Sequence, residues 1–203
     1  MTNFFSNDSP MSNSTQQQIL DGARKCFFQH GYKASNMSLI SQYAGFSRVT
    51  LHKHFKNKDL VFRAVCNEYQ EQCHQSCLPI VNANLNCWDA IAQSMGVWSK
   101  SIFEEVNDRL VYKDLHYHAQ QVAEDIFLNA HLKLESVLCQ LIKAGVEKNE
   151  ISLTKMQLSD QQFAKIIISS MNGINTNTQP ELIRETTDQV LNVFRLASEP
   201  VKK

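Results

Sequence analysis

The sequence predicts an all-α protein. A three-helix N-terminal head carries a helix-turn-helix, and a helical C-terminal body follows. Three observations support this. Only six Gly and four Pro interrupt 203 residues, and no sustained alternation of apolar and polar residues argues for strands. Apolar side chains recur at helical spacing through most of the chain. Residues 36–60, NMSLISQYAGFSRVTLHKHFKNKDL, have the spacing of two short helices crossing at close range. There Ser41 is small, Gly45 tolerates the positive φ of a tight turn, and Leu51 fills the wedge between the helices. The second helix of such a pair is the element that enters the DNA major groove.

Each element has its own signal. Residues 1–14 are rich in Ser and Asn and are expected to be a disordered lead-in. Helix 1 is expected over Thr15–His30, with Ile19, Ala23 and Phe27 on one face, Gly31 as its C-cap and Tyr32 packing back. Helix 2 is expected over Met37–Ala44, burying Ile40 and Ala44. Phe46 in the following turn points to the core, and Ser47 caps helix 3, Arg48–Phe55. Leu51 and Phe55 face inward, leaving Arg48, Val49, His52 and Lys53 outward. Asn57 caps helix 4, expected over Lys58–Cys77 and stopped by Pro79. Longer helices are expected over Trp88–Glu105, Asp108–His118 and Gln120–Glu147. A loop at 149–158 precedes two amphipathic helices, Ser159–Asn172 and Pro180–Ala197. The expected division is a lead-in at 1–14, a DNA-binding domain at 15–64, and an effector-binding and dimerisation domain at 65–203.

The zero net charge is a sum of opposites. Residues 1–64 hold eight Lys/Arg and three acids, net +5, and residues 65–203 hold 12 and 17, net −5. A basic head on an acidic body suits a reader of nucleic acid joined to a part that does not touch it. No apolar run is long enough to span a membrane, and the N-terminus lacks the basic and apolar regions of a secretory signal. Six cysteines lie within helical patterns, so they read as reduced, mostly buried thiols of a cytoplasmic protein.

Taken together, ILDGA...FF..GY in helix 1, I...AG.S at the turn, TL...F in helix 3 and KNKDL at the head of helix 4 resemble the TetR family of bacterial transcriptional regulators. The resemblance covers about residues 17–65. It implies a homodimer that reads an inverted-repeat operator in double-stranded DNA, with a variable C-terminal domain for a small-molecule effector of unknown identity. Departures stand out within it. Val49, His52 and His54 occupy positions that are usually Gly, Tyr and Tyr, and Gly22 stands where Ala is usual.

The expected DNA-contacting set is Asn36, Ser38, Ser47, Arg48, Val49, Thr50, His52, Lys53, His54 and Lys58. Arg pairs bidentately with guanine, and Val touches a thymine methyl. Asn36 serves equally well as the N-cap of helix 2. Lys58 sits at a helix N-terminus, an unfavourable place for a cation, which points to a phosphate clamp. Trp98, Phe103, Tyr112, His116 and Phe127 are candidates for an effector pocket, with plain core packing as the alternative. Phe163, Ile167, Met171, Val190 and Phe194 are expected at a dimer interface, unless they close the subunit's own core. The rival reading is a helical-bundle enzyme or sensor using Cys/His for metal or redox chemistry, centred on Cys73, His74 and Cys77. That set lacks two zinc ligands, and no CxxC or HxxxH occurs. No nucleophile–base pairing, phosphate-binding Gly loop or catalytic carboxylate pair is visible, so neither catalysis nor a cofactor or metal is expected.

Overall fold

A computed structural model of the chain describes residues 14–98, 100, 102, 105–177 and 182–200. Among the described residues the regular elements are all helical: α1 Thr15–Ala34, α2 Met37–Ala44, α3 Arg48–His54, α4 Lys58–Asn82, α5 Cys87–Trp98, α6 Arg109–Val122, α7 Glu124–Glu147, α8 Asp160–Asn177 and α9 Ile183–Ala197. The lead-in expected at 1–14 lies outside the described residues except for Ser14, whose Oγ caps α1 by accepting from the Gln17 N–H.

The chain forms two compact units. The first comprises residues up to Val65 together with Glu105–Ala123, and the second comprises Cys66–Glu104 and the chain from Glu124 onward. The first unit therefore takes in α6, which the expected division placed in the C-terminal body. Leu115 and Ala119 of α6 are buried, and α6 packs on α1. Nothing local in the sequence announces that pairing.

In the first unit, Ile19, Ala23 and Phe27 of α1 are buried with Ile40, Leu51, Val61 and Phe62. Phe27 meets Phe62 edge-on at 5.0 Å, and Tyr32 meets Phe62 at 5.0 Å and 63°. The capping chemistry follows the sequence. Asn36 Oδ1 accepts from Leu39 N at 3.0 Å, Ser47 Oγ from Thr50 N at 3.0 Å, and Asn57 Oδ1 from Leu60 N at 2.9 Å. Gly45 closes α2 in the left-handed region, φ 71°. Ala44 and Phe46 are half-buried, short of the full burial expected.

Gly22 also acquires a reason. A Cβ there would lie 2.3 Å from Ala44 Cα and 2.6 Å from Ala44 N. The end of α2 is pressed onto α1 where only hydrogen leaves room, and this explains why the usual Ala is absent. Helix 1 extends past its expected end. Gly31, at φ 78° and ψ 174°, breaks the helical path, and one further turn reaches Ala34.

In the second unit, Trp88 and Ile91 of α5 pack with Leu138 and Ile142 of α7 and Phe163, Ile167 and Met171 of α8. Expected bounds shift where packing outweighs local signals. α4 continues through Pro79 to Asn82, because Ile80 and Val81 pack against this core and Asn82 Nδ2 donates to the Leu78 carbonyl at 3.0 Å. The break between α6 and α7 falls at Ala123, not near residue 119, and Ala123 is fully buried. α5 ends at Trp98, earlier than expected, and α8 runs to Asn177, later. Loop 149–158 contains a single 3-10 turn, Thr154–Met156.

Gly22→Ala tests the α1–α2 approach. Helix propensity alone favours Ala by about 1 kcal/mol. The clash with backbone reverses this, and a net loss of about 1–3 kcal/mol is expected. Urea unfolding measures it, and a stabilised variant would mean that the two helices are not in such close contact.

Candidate nucleic-acid interface

α3 is short, and burial sorts its side chains. Leu51 is fully buried and Phe55, just past the helix, is nearly so, whereas Val49 is 68% exposed. Arg48, His52, Lys53 and His54 are also exposed. Arg48, Val49, His52 and Lys53 together line a shallow open depression. Three cations or potential cations and one apolar side chain thus share an unburied face. Such a face can approach phosphates and base edges without prior rearrangement. Arg48 Nε donates to His52 Nε2 at 3.5 Å.

Other members of the expected set have local duties. The side chains of Asn36 and Ser47 are engaged in capping α2 and α3, and Ser47 Oγ also meets Thr50 Oγ1 at 2.9 Å. Ser38 is exposed, while its carbonyl accepts from Ser41 Oγ at 2.8 Å. An amide oxygen accepts and carries no proton, so Asn36 Oδ1 cannot donate to a phosphate oxygen, whereas its amide N–H₂ group and the Ser47 hydroxyl can.

Lys58 is the least expected. Its Nζ donates to the carbonyls of Tyr32 at 2.8 Å and Ser35 at 3.0 Å, and it lies 4.0 Å from the centre of the Tyr32 ring. A cation in the first turn of α4 opposes that helix's dipole. Here it is turned back onto the carbonyl end of α1, where a cation is favoured. Burial lowers its proton affinity, and the carboxylates of Asp59 and Asp114 partly restore it. Tyr32 donates its phenolic proton to Asp59 Oδ1, and burial followed by this bond pushes the phenol's pKa well above its usual value. Two of the three ammonium protons are thus held internally, leaving one for a phosphate.

The bracing around Lys58 involves residues that sequence reasoning did not find. Asp114 Oδ2 accepts from the Lys33 N–H at 3.0 Å, His118 stacks on Tyr32 at 4.4 Å and 20°, and Arg63 Nη1 donates to the Val122 carbonyl at 2.6 Å. Asp114 and Lys33 are 81 residues apart. No spacing rule links such positions.

The candidate effector residues are distributed over the two units. Tyr112 and His116 lie on α6 in the first unit, stacked on each other at 6.1 Å. Trp98 and Phe127 are half-buried in the second unit, and Trp98 Nε1 donates to Cys77 Sγ at 3.2 Å. Phe103 lies outside the described residues. The expected interface residues Phe163, Ile167 and Met171 are at most 2% exposed within their own subunit, with Val190 and Phe194 packed against the same core. They close this core, and the apolar periodicity that suggested an interface reflects that role.

The Cys/His rival finds little support in the geometry. Among the described residues no three His, Cys, Asp or Glu side chains are grouped to hold a metal ion. Burial raises the Cys73 thiol to about 11 and also raises Cys77, so neither is a reactive thiolate near neutrality. Among the described residues no helix is long and apolar enough to cross a membrane.

Comparison with known proteins agrees with this geometry. Residues 19–65 match the family described as bacterial regulatory proteins, tetR family. The chain is 40% identical over 57 residues to the HTH-type transcriptional repressor Rv1474c of Mycobacterium tuberculosis, a match covering 28% of this chain and 30% of that protein. It is 36% identical over 61 residues to the HTH-type transcriptional repressor AcnR of Corynebacterium efficiens, covering 30% of this chain and 31% of that one. The match thus spans about a third of these relatives' length. A crystal structure of a transcriptional regulator of the TetR/AcrR family from Thermobifida fusca superposes with a TM-score of 0.70 at 16% identity, over 90% of this chain and 97% of that one, which shows the shared fold. The head, residues 19–65, is thus similar in sequence to the tetR family of bacterial regulatory proteins, and nine tenths of the chain shares the fold of a solved structure.

Proposed function

We propose that the protein is a dimeric transcriptional regulator that represses by binding an inverted-repeat operator through α3 and is released by a small effector bound in the second unit. The observation that carries the reading is the unburied face of Arg48, Val49, His52 and Lys53 on a helix whose opposite side is buried, within a head of net +5. The repressors matched over the head support the same direction. Two heads of a dimer reach half-sites one helical turn apart, about 34–36 Å. An effector releases the protein only by binding better to a form whose heads do not match that spacing. Acting on DNA, the protein works in the cytoplasm.

The second copy covers the outer faces of α8 and α9 in this reading. Ile166 is 40% exposed, Val193 62% and Leu196 58%. Gly173 is also exposed and Ser170 is half-buried, two turns and one turn beyond Ile166 on α8, and a side chain added at Gly173 would meet nothing within 4 Å. Small residues beside exposed apolar ones allow close helix–helix approach. These residues replace the buried set as the proposed interface. The double variant Ile166→Glu with Val193→Glu should sediment as a monomer and lose operator affinity by about 100-fold or more, the contribution of bivalent binding. A dimer of undiminished strength would remove these faces from the interface.

DNA binding itself is tested by selecting duplexes from a randomised library with the purified protein, then measuring affinity by fluorescence anisotropy. Arg48→Ala should cost about 1–3 kcal/mol on the selected duplex and relax preference at one base position of each half-site. Equal affinity for selected and scrambled duplexes in the wild type would sink the operator reading.

Lys58→Ala separates two roles. Loss of its two carbonyl bonds should lower unfolding stability by about 1–3 kcal/mol. If its third proton also meets a phosphate, the slope of log K against log salt falls by about 0.9 per contact, or about 2 per dimer. A lowered stability with an unchanged slope would leave Lys58 as an internal brace alone.

A further inference from the structure

We propose that the Asp114–His118 pair of α6 is a latch that holds the end of α1, and through Lys58 the α3–α4 corner, in the arrangement that binds DNA. Asp114 is thus a positioning residue for a surface it does not form. This deepens the DNA-binding reading and rests on it.

The contacts form one unbroken series. Asp114 Oδ2 accepts the Lys33 N–H at 3.0 Å, just past the break at Gly31. Gly31 is what lets the carboxylate in, since a Cβ at that position would lie 2.7 Å from Oδ2. His118 Nδ1 lies 3.2 Å from Asp114 Oδ1 and 2.8 Å from the Asp114 backbone carbonyl, and its ring stacks on Tyr32. Both side chains are half-buried, at 21% and 14% exposure. The turn they hold, Tyr32–Ser35, presents the two carbonyls that bind Lys58 Nζ. Lys58 opens α4 four residues after the last residue of α3. A displaced carboxylate therefore frees the α1 end, the α1 end releases Lys58, and Lys58 no longer fixes where α3 ends and α4 begins.

Chain connectivity makes this a point of control. α6 belongs to the first unit, yet the helices before and after it, α5 and α7, belong to the second. A change in the second unit is transmitted covalently to both ends of α6. Asp114 and His118 lie between those ends, on the element that bonds to α1. Coupling of this kind needs an element with two arrangements that both sites bias. A half-buried carboxylate on the Lys33 N–H, seated against a glycine break, supplies a bond that is either made or lost.

The sign of the effect separates the latch from plain electrostatics. Asp114 is an acid in a basic head that binds a polyanion. Were it only a charge, removing it would tighten DNA binding. The latch predicts the reverse.

The test uses the full-length protein and the duplex selected by the wild type. Asp114→Ala should weaken binding by about tenfold, within the range for residues that couple sites without touching the ligand. The slope of log K against log salt should stay that of the wild type, since the phosphate contacts remain. Asp114→Asn, which keeps an acceptor for the Lys33 N–H, should recover most of the loss. His118→Phe, which keeps the stack on Tyr32, should fall between them. Thermal melting by circular dichroism shows whether each variant is folded at the assay temperature. If Asp114→Ala is not, His118→Phe decides the matter by the same criterion, weaker binding at unchanged slope. Affinity equal to or tighter than wild type in folded Asp114→Ala or His118→Phe overturns the latch while leaving the DNA-binding reading intact. Failure of the wild type to prefer any duplex overturns the DNA-binding reading, and the latch with it.

Discussion

The ammonium of Lys58 on the carbonyls of Tyr32 and Ser35 is the contact on which the head depends. It joins the end of the first helix to the beginning of the fourth, with α3 immediately before it in the chain. A lysine is suited to this because three protons on a compact charge can serve several carbonyls at once. The aromatic ring of Tyr32 and the carboxylate of Asp59 complete its surroundings, so the charge is compensated where burial would otherwise expel it. Hydrophobic packing alone would not define this corner so narrowly. Phe27, Tyr32 and Phe62 supply the apolar contact, and the directional bonds select one arrangement among those the rings would accept.

Around that corner, the head shows two uses of glycine that differ in kind. Gly22 is needed for the space that its missing side chain leaves, within a helix of ordinary geometry. Gly31 is needed for its backbone, which enters the left-handed region and redirects the chain toward α6. The first choice sacrifices helix propensity of about 1 kcal/mol for contact between α1 and α2. The second turns a helix end into a binding surface for Asp114. Both exceptions to local preference occur where two elements meet, as is expected when tertiary contact outweighs propensity.

The second unit follows a plainer logic. Its core is built from aliphatic side chains with Trp88 and Phe163, and its thiols are small buried groups whose burial keeps them protonated. The aromatic and histidine content that suggested a pocket is divided between two units, with Tyr112 and His116 on the α6 that packs with the head. The outer faces of α8 and α9 keep apolar side chains in solvent while their inner faces satisfy the subunit's own core. An amphipathic pattern identifies the inner face of a helix, and it is silent on which residues of the outer face meet another chain.

Local chemistry made much of the head legible before any coordinates. Asn36, Ser47 and Asn57 cap the helices that the sequence assigned to them, and Leu51 faces the core, because caps and helical periodicity are decided within a few residues. The outward set on α3 was legible for the same reason: once Leu51 points in, Arg48, Val49, His52 and Lys53 point out. Tertiary structure alone decided the rest. It carried α4 through Pro79 by packing Ile80 and Val81, and placed Phe163, Ile167 and Met171 inside their own subunit. It also turned Lys58 inward and brought Asp114 to Lys33 across 81 residues. Those outcomes depend on which faces meet, and meeting faces are set by the burial and hydrogen bonding of the whole chain, a property that no short window of sequence contains.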